Sequence, residues 1–399
     1  MREKGRNQLT PETELTMDGM DKPDRVLFVT TLLLVGLGIV IVYSASVAVA
    51  EQRYQASGFF LKRHVLRALL GLLAMLVVMR IDYHRWRKLA GLGMLASIFL
   101  LLLVLLPKIG WHGSGAGQNV NRRLNLVFMS FQPAELVKLM IVFYLARQMD
   151  RKKEQIKDFK KDLLPTVCVV GLSLLLIAVE PDLGTALVIG MLAFTMFIIA
   201  GVRWLHLMGM GFLAAASAVL MVVITPYRFR RVLSFLKPDW DPGGASYQIR
   251  QSLISLGSGG IFGIGLGNSR QKLLFLPEPH TDFVFSILGE ELGFIGAVFV
   301  LSLFLLLTWR GLKVARNSPD RFGFLLGLGI TATIFLNAAL NVAVVTRLCP
   351  TTGLPLPFIS YGGSSLLFNL IGMGVLLNIS RQGALKKAPW RKERRPCAY

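Results

Sequence analysis

The stretch Leu276–Trp309, LPEPHTDFVFSILGEELGFIGAVFVLSLFLLLTW, decides how the chain is read. Its apolar run is long enough to cross a bilayer, which takes about 20 residues. Yet Asp282 stands at its mouth, Glu290 and Glu291 lie within it, and Glu278 and His280 come just before. An ionisable side chain at bilayer depth is costly, so it is there for a function or for a partner. The rest of the chain decides between these.

Similar runs recur about ten times, at roughly 26–48, 64–81, 89–107, 133–149, 163–179, 184–201, 204–225, 283–308, 322–346 and 363–380. The chain of 399 residues is 53% hydrophobic and 17% charged, against about a quarter charged in a soluble domain. The pattern predicts an all-α polytopic membrane protein of about ten transmembrane helices. They form one domain over 25–382, with a large outer loop, 226–282, between helices 7 and 8. Residues 1–24 read as a disordered cytoplasmic tail and 383–399 as a basic cytoplasmic one. The first run is too long for a cleavable signal peptide, lacks a small-residue cleavage site and follows about 25 polar residues.

A net charge of +21 would suit nucleic acid, but its placement argues otherwise. HRWRK (84–88), RKKEQIKDFKK (151–161), RGLKVAR (310–316) and KKAPWRKERR (386–395) all fall on one side of a ten-span chain. The positive-inside rule makes that side, and both termini, cytoplasmic. No nucleic-acid partner is expected; the basic segments favour anionic membrane lipids. Cys168, Cys349 and Cys397 fall in a span, an outer loop and a tail, too scattered for a disulfide framework or a metal cluster.

The opposite, outer side gathers the unusual residues. FQPAELVKL (131–139) places Glu135 and Lys138 three apart at the start of the fourth span, where they share a face and can pair. EPDLGTA (180–186) brings Asp182 and Thr185 to the outer mouth of the fifth and sixth. In the long loop, SYQIRQSLISLG (246–257) has helical spacing, as an amphipathic packing helix or a functional one. GSGGIFGIGLG (257–267) lacks the preceding strand and the Lys-Ser or Lys-Thr of a phosphate loop; close backbone approach to a lipid or a helix suits it better. LCPTTGLPLPFISYGGSS (348–365) has too many prolines for a helix, and opens the tenth span as either an anion site or a rigid turn and cap. Asp282, Ser286, Gly289 and Gly293 form a small-residue face suited to close packing. Glu290, about 12 Å deeper at 1.5 Å per residue, is expected to pair with Lys138. Asp282 itself reads either as a general base at a water boundary or as a plain helix cap.

PEPHTDFVFSILGEELG, FQPAELVKL, EPDLGTA and GLPLPFISYGGSS together resemble the SEDS family (shape, elongation, division and sporulation), over about residues 24–385. TPYRFRRVLSFLKPDWDP and IVIVYSAS are similar to its cell-division type. The resemblance implies a ten-span glycosyltransferase of the bacterial inner membrane that polymerises lipid II into peptidoglycan strands at the division septum, with its active site facing outside. It implies catalysis by Asp282. Substrate binding is expected from Gln132, Glu135, Lys138, Asp182, Thr185, Arg228, Arg231, Gln251, Lys272, Glu278, His280, Ser360, Gly362, Gly363 and Ser364. The leaving diphosphate needs cationic or N–H partners (Arg230 is a further candidate) or a divalent cation, magnesium or manganese. Implied partners are lipid II, the undecaprenyl-diphosphate-linked strand, a class B penicillin-binding protein and other division proteins. Two departures stand out: Arg123 replaces a tryptophan of the family pattern, and Arg347 a glycine. A lipid II flippase or a division scaffold are the rival readings; a transporter would place its polar site at mid-membrane beside broken helices.

Overall fold

The computed structural model describes residues 23–106, 110–112, 121–126, 129–151, 163–237, 244–273 and 275–385. Of the expected tails (1–24 and 383–399), residues 1–22 and 386–399 lie outside the described residues, as does the Arg123 side chain, while 383–385 belong to the last helix. Each expected span appears as a helix: α1 (Arg25–Tyr54), α2 (Phe59–Arg80), α3 (Tyr83–Leu105), α4 (Pro133–Arg151), α5 (Leu164–Val179), α6 (Leu183–Ala200), α7 (Trp204–Ile224), α10 (Val284–Arg316), α11 (Arg321–Val345) and α12 (Gly363–Leu385). Seven are long and apolar enough to cross a membrane by composition alone. Among the others, α5 is 16 residues long, and α2 and α4 carry charges.

The long loop between α7 and α10 contains two further helices, α8 (Pro226–Leu236) and α9 (Ala245–Ser258). The second bears out the helical spacing of its sequence. Between α3 and α4 lies an element the sequence did not suggest, a three-stranded antiparallel sheet: β1 (Gly110–His112), β2 (Asn121–Leu126) and β3 (Met129–Phe131). It rests on α3, α4 and α12.

The bundle packs most extensively where α12 lies along α2, α10 along α11 and α3 along α4. Small residues allow this: a Cβ on Gly374 of α12 would stand 2.6 Å from the Met75 carbonyl oxygen of α2. At one end of the bundle, polar ties replace apolar contact. Asp24 caps α1, accepts from Arg310 at 2.6 Å and donates its own N–H to Ser380 at 3.0 Å. Tyr83 donates to Asp320 at 2.9 Å.

Helix α10 breaks at Gly293, whose φ of 69° and ψ of −168° no helix contains. The break strands two carbonyls and two N–H groups, because Phe294 and Ile295 would otherwise donate to Glu290 and Glu291 four residues back. The glycine-dense segment repairs the loss one for one. Ile264 and Gly265 donate to the carbonyls of Glu290 and Glu291, both at 3.1 Å. Phe294 and Ile295 donate to the carbonyls of Gly260 and Ile261, at 2.9 and 3.2 Å. Glycine is needed for this approach: a Cβ at residue 263 would lie 2.2 Å from the Glu291 carbonyl oxygen, and one at 259 would lie 2.1 Å from that of Gly289. The close backbone approach expected of this segment is thus to a neighbouring helix.

The break also corrects two expectations. Glu290 does not pair with Lys138. It accepts from Ser255 at 2.9 Å, Ser269 at 2.6 Å and the Arg270 N–H at 3.0 Å. Its local helix turns it toward α9 and the loop, whereas Lys138 faces α11. Nor does Asp282 cap α10, which begins at Val284 with Phe283 as its cap residue.

Gly263→Ala is expected to destabilise the solubilised protein by about 2 kcal/mol or more, through strain at a φ of 80° and collision with the Glu291 carbonyl. Gly257→Ala, in α9 with open space around it, is expected to be neutral or stabilising. Thermal unfolding in detergent reads both; equal melting temperatures would remove the sealing role from the glycine segment.

Candidate functional site

At the end of the bundle opposite Asp24, residues 350–362 run between α11 and α12 without helix, as their prolines require. This segment is the hub of the polar residues expected to act together. Tyr361 donates its N–H to the His280 carbonyl at 2.9 Å. The side chain of Asn341, near the end of α11, donates to the carbonyls of Asp282 at 2.8 Å and Leu354 at 2.7 Å. A Cβ on Gly353, which has a φ of 75°, would sit 3.5 Å from the Asp282 carboxylate. Asp282 is therefore held through its main chain, half-buried, with its carboxylate against the loop.

Ser360 accepts from the Leu356 N–H at 2.8 Å and shapes the turn. Gly362 leads into α12 and Gly363 begins it. Ser364 accepts from the Gln132 N–H at 3.0 Å and donates to the Ser130 carbonyl at 3.2 Å. The Gln132 side chain in turn donates to Asp182 at 3.0 Å. Asp182 caps α6 by accepting from both the N–H (3.1 Å) and the hydroxyl (2.9 Å) of Thr185. Four distant pieces of sequence meet here, as their shared side of the membrane predicts.

Below this layer Lys138 and Glu135 pair at 2.8 Å, both about 5% exposed or less, and Lys138 also donates to Asn337 at 3.4 Å. The two line a cavity of about 20 Å³, with Asn369 and apolar residues of α4, α11 and α12. That is room for one water.

The basic candidates are placed differently from one another. Arg228 is buried and donates to the Ala178 carbonyl. Arg231 donates to the Thr351 carbonyl at 3.0 Å and lies over the Tyr227 ring. Lys272 is buried beside the α10 break and donates to Glu291 at 3.0 Å, Ser44 at 3.0 Å and the Gly267 carbonyl at 2.6 Å. It therefore belongs to the framework around the break. Arg230 is exposed, and Gln251 lies half-buried on α9. The other departure from the expected pattern, Arg347, follows α11 with a φ of 58°.

His280 is buried against Phe60, with ring centroids 4.6 Å apart, and 5.6 Å from the Tyr361 ring. Burial pushes its pKa below 6.5, with Glu278, 4.0 Å away, pulling the other way. The imidazole is therefore neutral at physiological pH. Glu180, in the turn between α5 and α6, is fully buried with no hydrogen bond to either carboxylate oxygen. Burial, then the neighbouring Asp182, pushes its pKa up to about 8, against a smaller pull from Arg122. Sequence reasoning quoted Glu180 without singling it out, and it missed Asn341. An asparagine and an acid at the ends of apolar runs were the available signals.

Comparison with known proteins places these residues in context. The FtsW/RodA/SpoVE family model, described as "Cell cycle protein", matches residues 24–385. Stage V sporulation protein E of Bacillus subtilis is 43% identical over 90% of this chain and 97% of its own length. A probable peptidoglycan glycosyltransferase FtsW of Geobacter sp. strain M18 is also 43% identical, over 90% of this chain and 96% of its own. Among solved structures, a chain from a peptidoglycan synthase complex, reported for its coordination of polymerization and crosslinking, superposes with a TM-score of 0.72. It has 29% identity and covers 90% of this chain and 98% of that one. The rod shape determining protein RodA of Thermus thermophilus gives a TM-score of 0.65 at 28% identity, covering 90% and 97%.

Glu180 has a measurable consequence. Between its ordinary value of 4.5 and about 8, the folded chain holds a proton that the unfolded chain has released. Stability therefore falls as pH rises through that window. Glu180→Gln is expected to flatten this slope, with an advantage over the wild type that grows from about pH 4.5 and levels off above about 8. Melting temperatures across pH 5–9 test it, and identical slopes for the two proteins would rule it out.

Proposed function

Because this chain belongs to the FtsW/RodA/SpoVE family of cell cycle proteins, we propose that it is an integral membrane peptidoglycan glycosyltransferase that polymerises lipid II into glycan strands. The observation that carries this reading is Asp282: a half-buried carboxylate at the mouth of a transmembrane bundle, steadied by Asn341 and the 350–362 segment. The same segment leads directly into Ser364, which joins Gln132 and, through it, Asp182.

Asp282 acts as general base. Its carboxylate takes the proton from the 4-hydroxyl of an incoming lipid II sugar as that oxygen attacks the anomeric carbon of the lipid-linked strand. The new glycosidic C–O bond forms as the anomeric carbon's bond to the diphosphate oxygen breaks, and the diphosphate keeps the electron pair. Attack from the opposite face inverts the anomeric configuration. A diphosphate leaves as an anion, so no acid is needed to protonate it. Asp282 then passes its proton to water.

Among the described residues no three His, Cys, Asp or Glu side chains converge to hold a metal. The described side chains do not form a protein-only divalent site.

The basic segments, by the positive-inside rule, favour cytoplasmic termini and a site on the outer face of the bacterial inner membrane. The relatives named FtsW support a role in septal synthesis, and the resemblance of a chain from a peptidoglycan synthase complex supports a transpeptidase partner of class B. One observation favours the rival reading of a flippase: the broken helix at Gly293, with Glu290, Glu291 and Lys272 buried beside it. Its stranded backbone groups are all engaged by the glycine segment, which leaves none of them to bind a substrate.

Asp282→Asn is expected to lower polymerisation by about two to four orders of magnitude, the range general-base removal produces, with unchanged folding. Purified protein incubated with labelled lipid II and resolved by gel measures it. Full-length polymer from the Asn variant would take Asp282 out of the mechanism, and wild-type protein that moved lipid II across vesicles without making polymer would establish the flippase instead.

A further inference from the structure

Glycosyl transfer leaves a charged diphosphate that needs a cationic partner. Most basic residues that the sequence offers are committed elsewhere: Arg228 and Arg231 to backbone carbonyls, Lys272 to Glu291. A different pair of arginines also lies at the hub. Arg67 of α2 places its guanidinium over the Tyr361 ring, 4.9 Å from the centroid. It also packs against the first residue of α12, so that a Cβ on Gly363 would stand 3.0 Å from Arg67 Nε and 3.1 Å from Cζ. One turn earlier, Arg63 is exposed and covers Phe59 at 4.1 Å.

This arrangement sets a cation against the positive end of a helix. The first N–H groups of α12 carry about half a positive charge, and a guanidinium beside them adds a full one. Like charges at this range repel unless an anion lies between them. Among the described residues no carboxylate forms an ion pair with Arg67. Glu278, the acid beside His280, is 45% exposed and leans toward that imidazole. A second buried group in the cluster lacks a partner. His64, three residues before Arg67 on α2, is fully buried, with its ring 5.9 Å from that of Tyr361 and no hydrogen bond at either nitrogen. Tyr361 in turn binds the His280 carbonyl, two residues from Asp282.

The geometry points to a phosphate subsite formed by Arg67 and the first turn of α12, with Arg63 at its rim, which receives the diphosphate of the lipid-linked substrate. The inference rests on the proposed glycosyl transfer for its ligand. Arginine suits the role because its planar fork donates to two phosphate oxygens at once. Helix N–H groups complete the cradle. The requirement for glycine at 363 follows, since any side chain there would fill the space against Arg67.

Binding of undecaprenyl diphosphate, which is not itself polymerised, tests the subsite without turnover. The wild-type chain in phosphatidylethanolamine nanodiscs is titrated with this lipid, with uncharged undecaprenol, and with added phosphatidylglycerol as competitor. Arg67→Gln is expected to weaken undecaprenyl diphosphate binding about tenfold and leave undecaprenol unchanged, and Arg67→Lys to restore part of the loss. Should Arg67→Gln fail to fold, Gly363→Ala is read instead and is expected to weaken the same binding severalfold. Unchanged affinity in the folded variant would overturn the proposal. So would equal competition by phosphatidylglycerol, which would make the site a general anionic-lipid contact. Failure of the polymerase reading would appear in the lipid II gel assay and not in this titration.

Discussion

Within a bilayer every backbone polar group must find a partner in the protein, because each one left unsatisfied costs several kcal/mol. That constraint governs the most unusual part of this chain. The break at Gly293 frees four backbone groups, and residues 260–265 supply four in return. Break and glycine segment depend on each other: neither is a stable membrane structure alone. Their joint geometry makes the first part of α10 a short, separately anchored helix. Ser252 and Ser286, with hydroxyls 2.8 Å apart, and Ser255 with Glu290 fasten it to α9. Asp282 stands just ahead of this anchored piece, so its position follows from the seal.

The second organising element is the segment 350–362. Its prolines deny it a helix, and so its carbonyls and N–H groups are available to others. Arg231, Asn341 and His280 each use one. Directly after it, Ser364 reaches the Gln132 backbone and, through the Gln132 side chain, Asp182. An irregular strand of chain thereby does what one more helix contact could not: it touches several helix ends at one level and joins their polar groups.

Charge is sparing in the interior, and part of it is paired. Glu135 with Lys138, and Glu291 with Lys272, are ion pairs between nearly inaccessible side chains. Breaking such a pair by removing one partner costs about 3–5 kcal/mol, since the survivor is left buried and uncompensated. These pairs were only partly readable. Glu135 and Lys138 sit three apart on one helix, and local spacing suffices to pair them. Glu290 and Lys138 are on different helices, and depth along the membrane says nothing about which way each helix is turned. The expected pair therefore fails, and Lys272, from a loop, takes up the neighbouring carboxylate. Arg67 escaped notice for a related reason: a basic residue near a helix end reads as a solvated or lipid-facing charge until the tertiary neighbours show it against Gly363.

By itself the sequence determined the helical membrane class, the approximate bounds of ten spans, the irregular course of the proline-rich segment, and the expectation that Glu135, Asp182, Asp282 and the SYGGSS segment share one side. Those follow from hydropathy, proline stereochemistry and the alternation of sides, all of which are local or additive along the chain. Only the tertiary structure decided the break in α10, the exchange of hydrogen bonds that seals it, the partners of Glu290 and Lys272, and the meeting of Arg67 with α12. Each of these depends on the rotation of one helix against another, which close packing of many side chains sets jointly and no single stretch encodes.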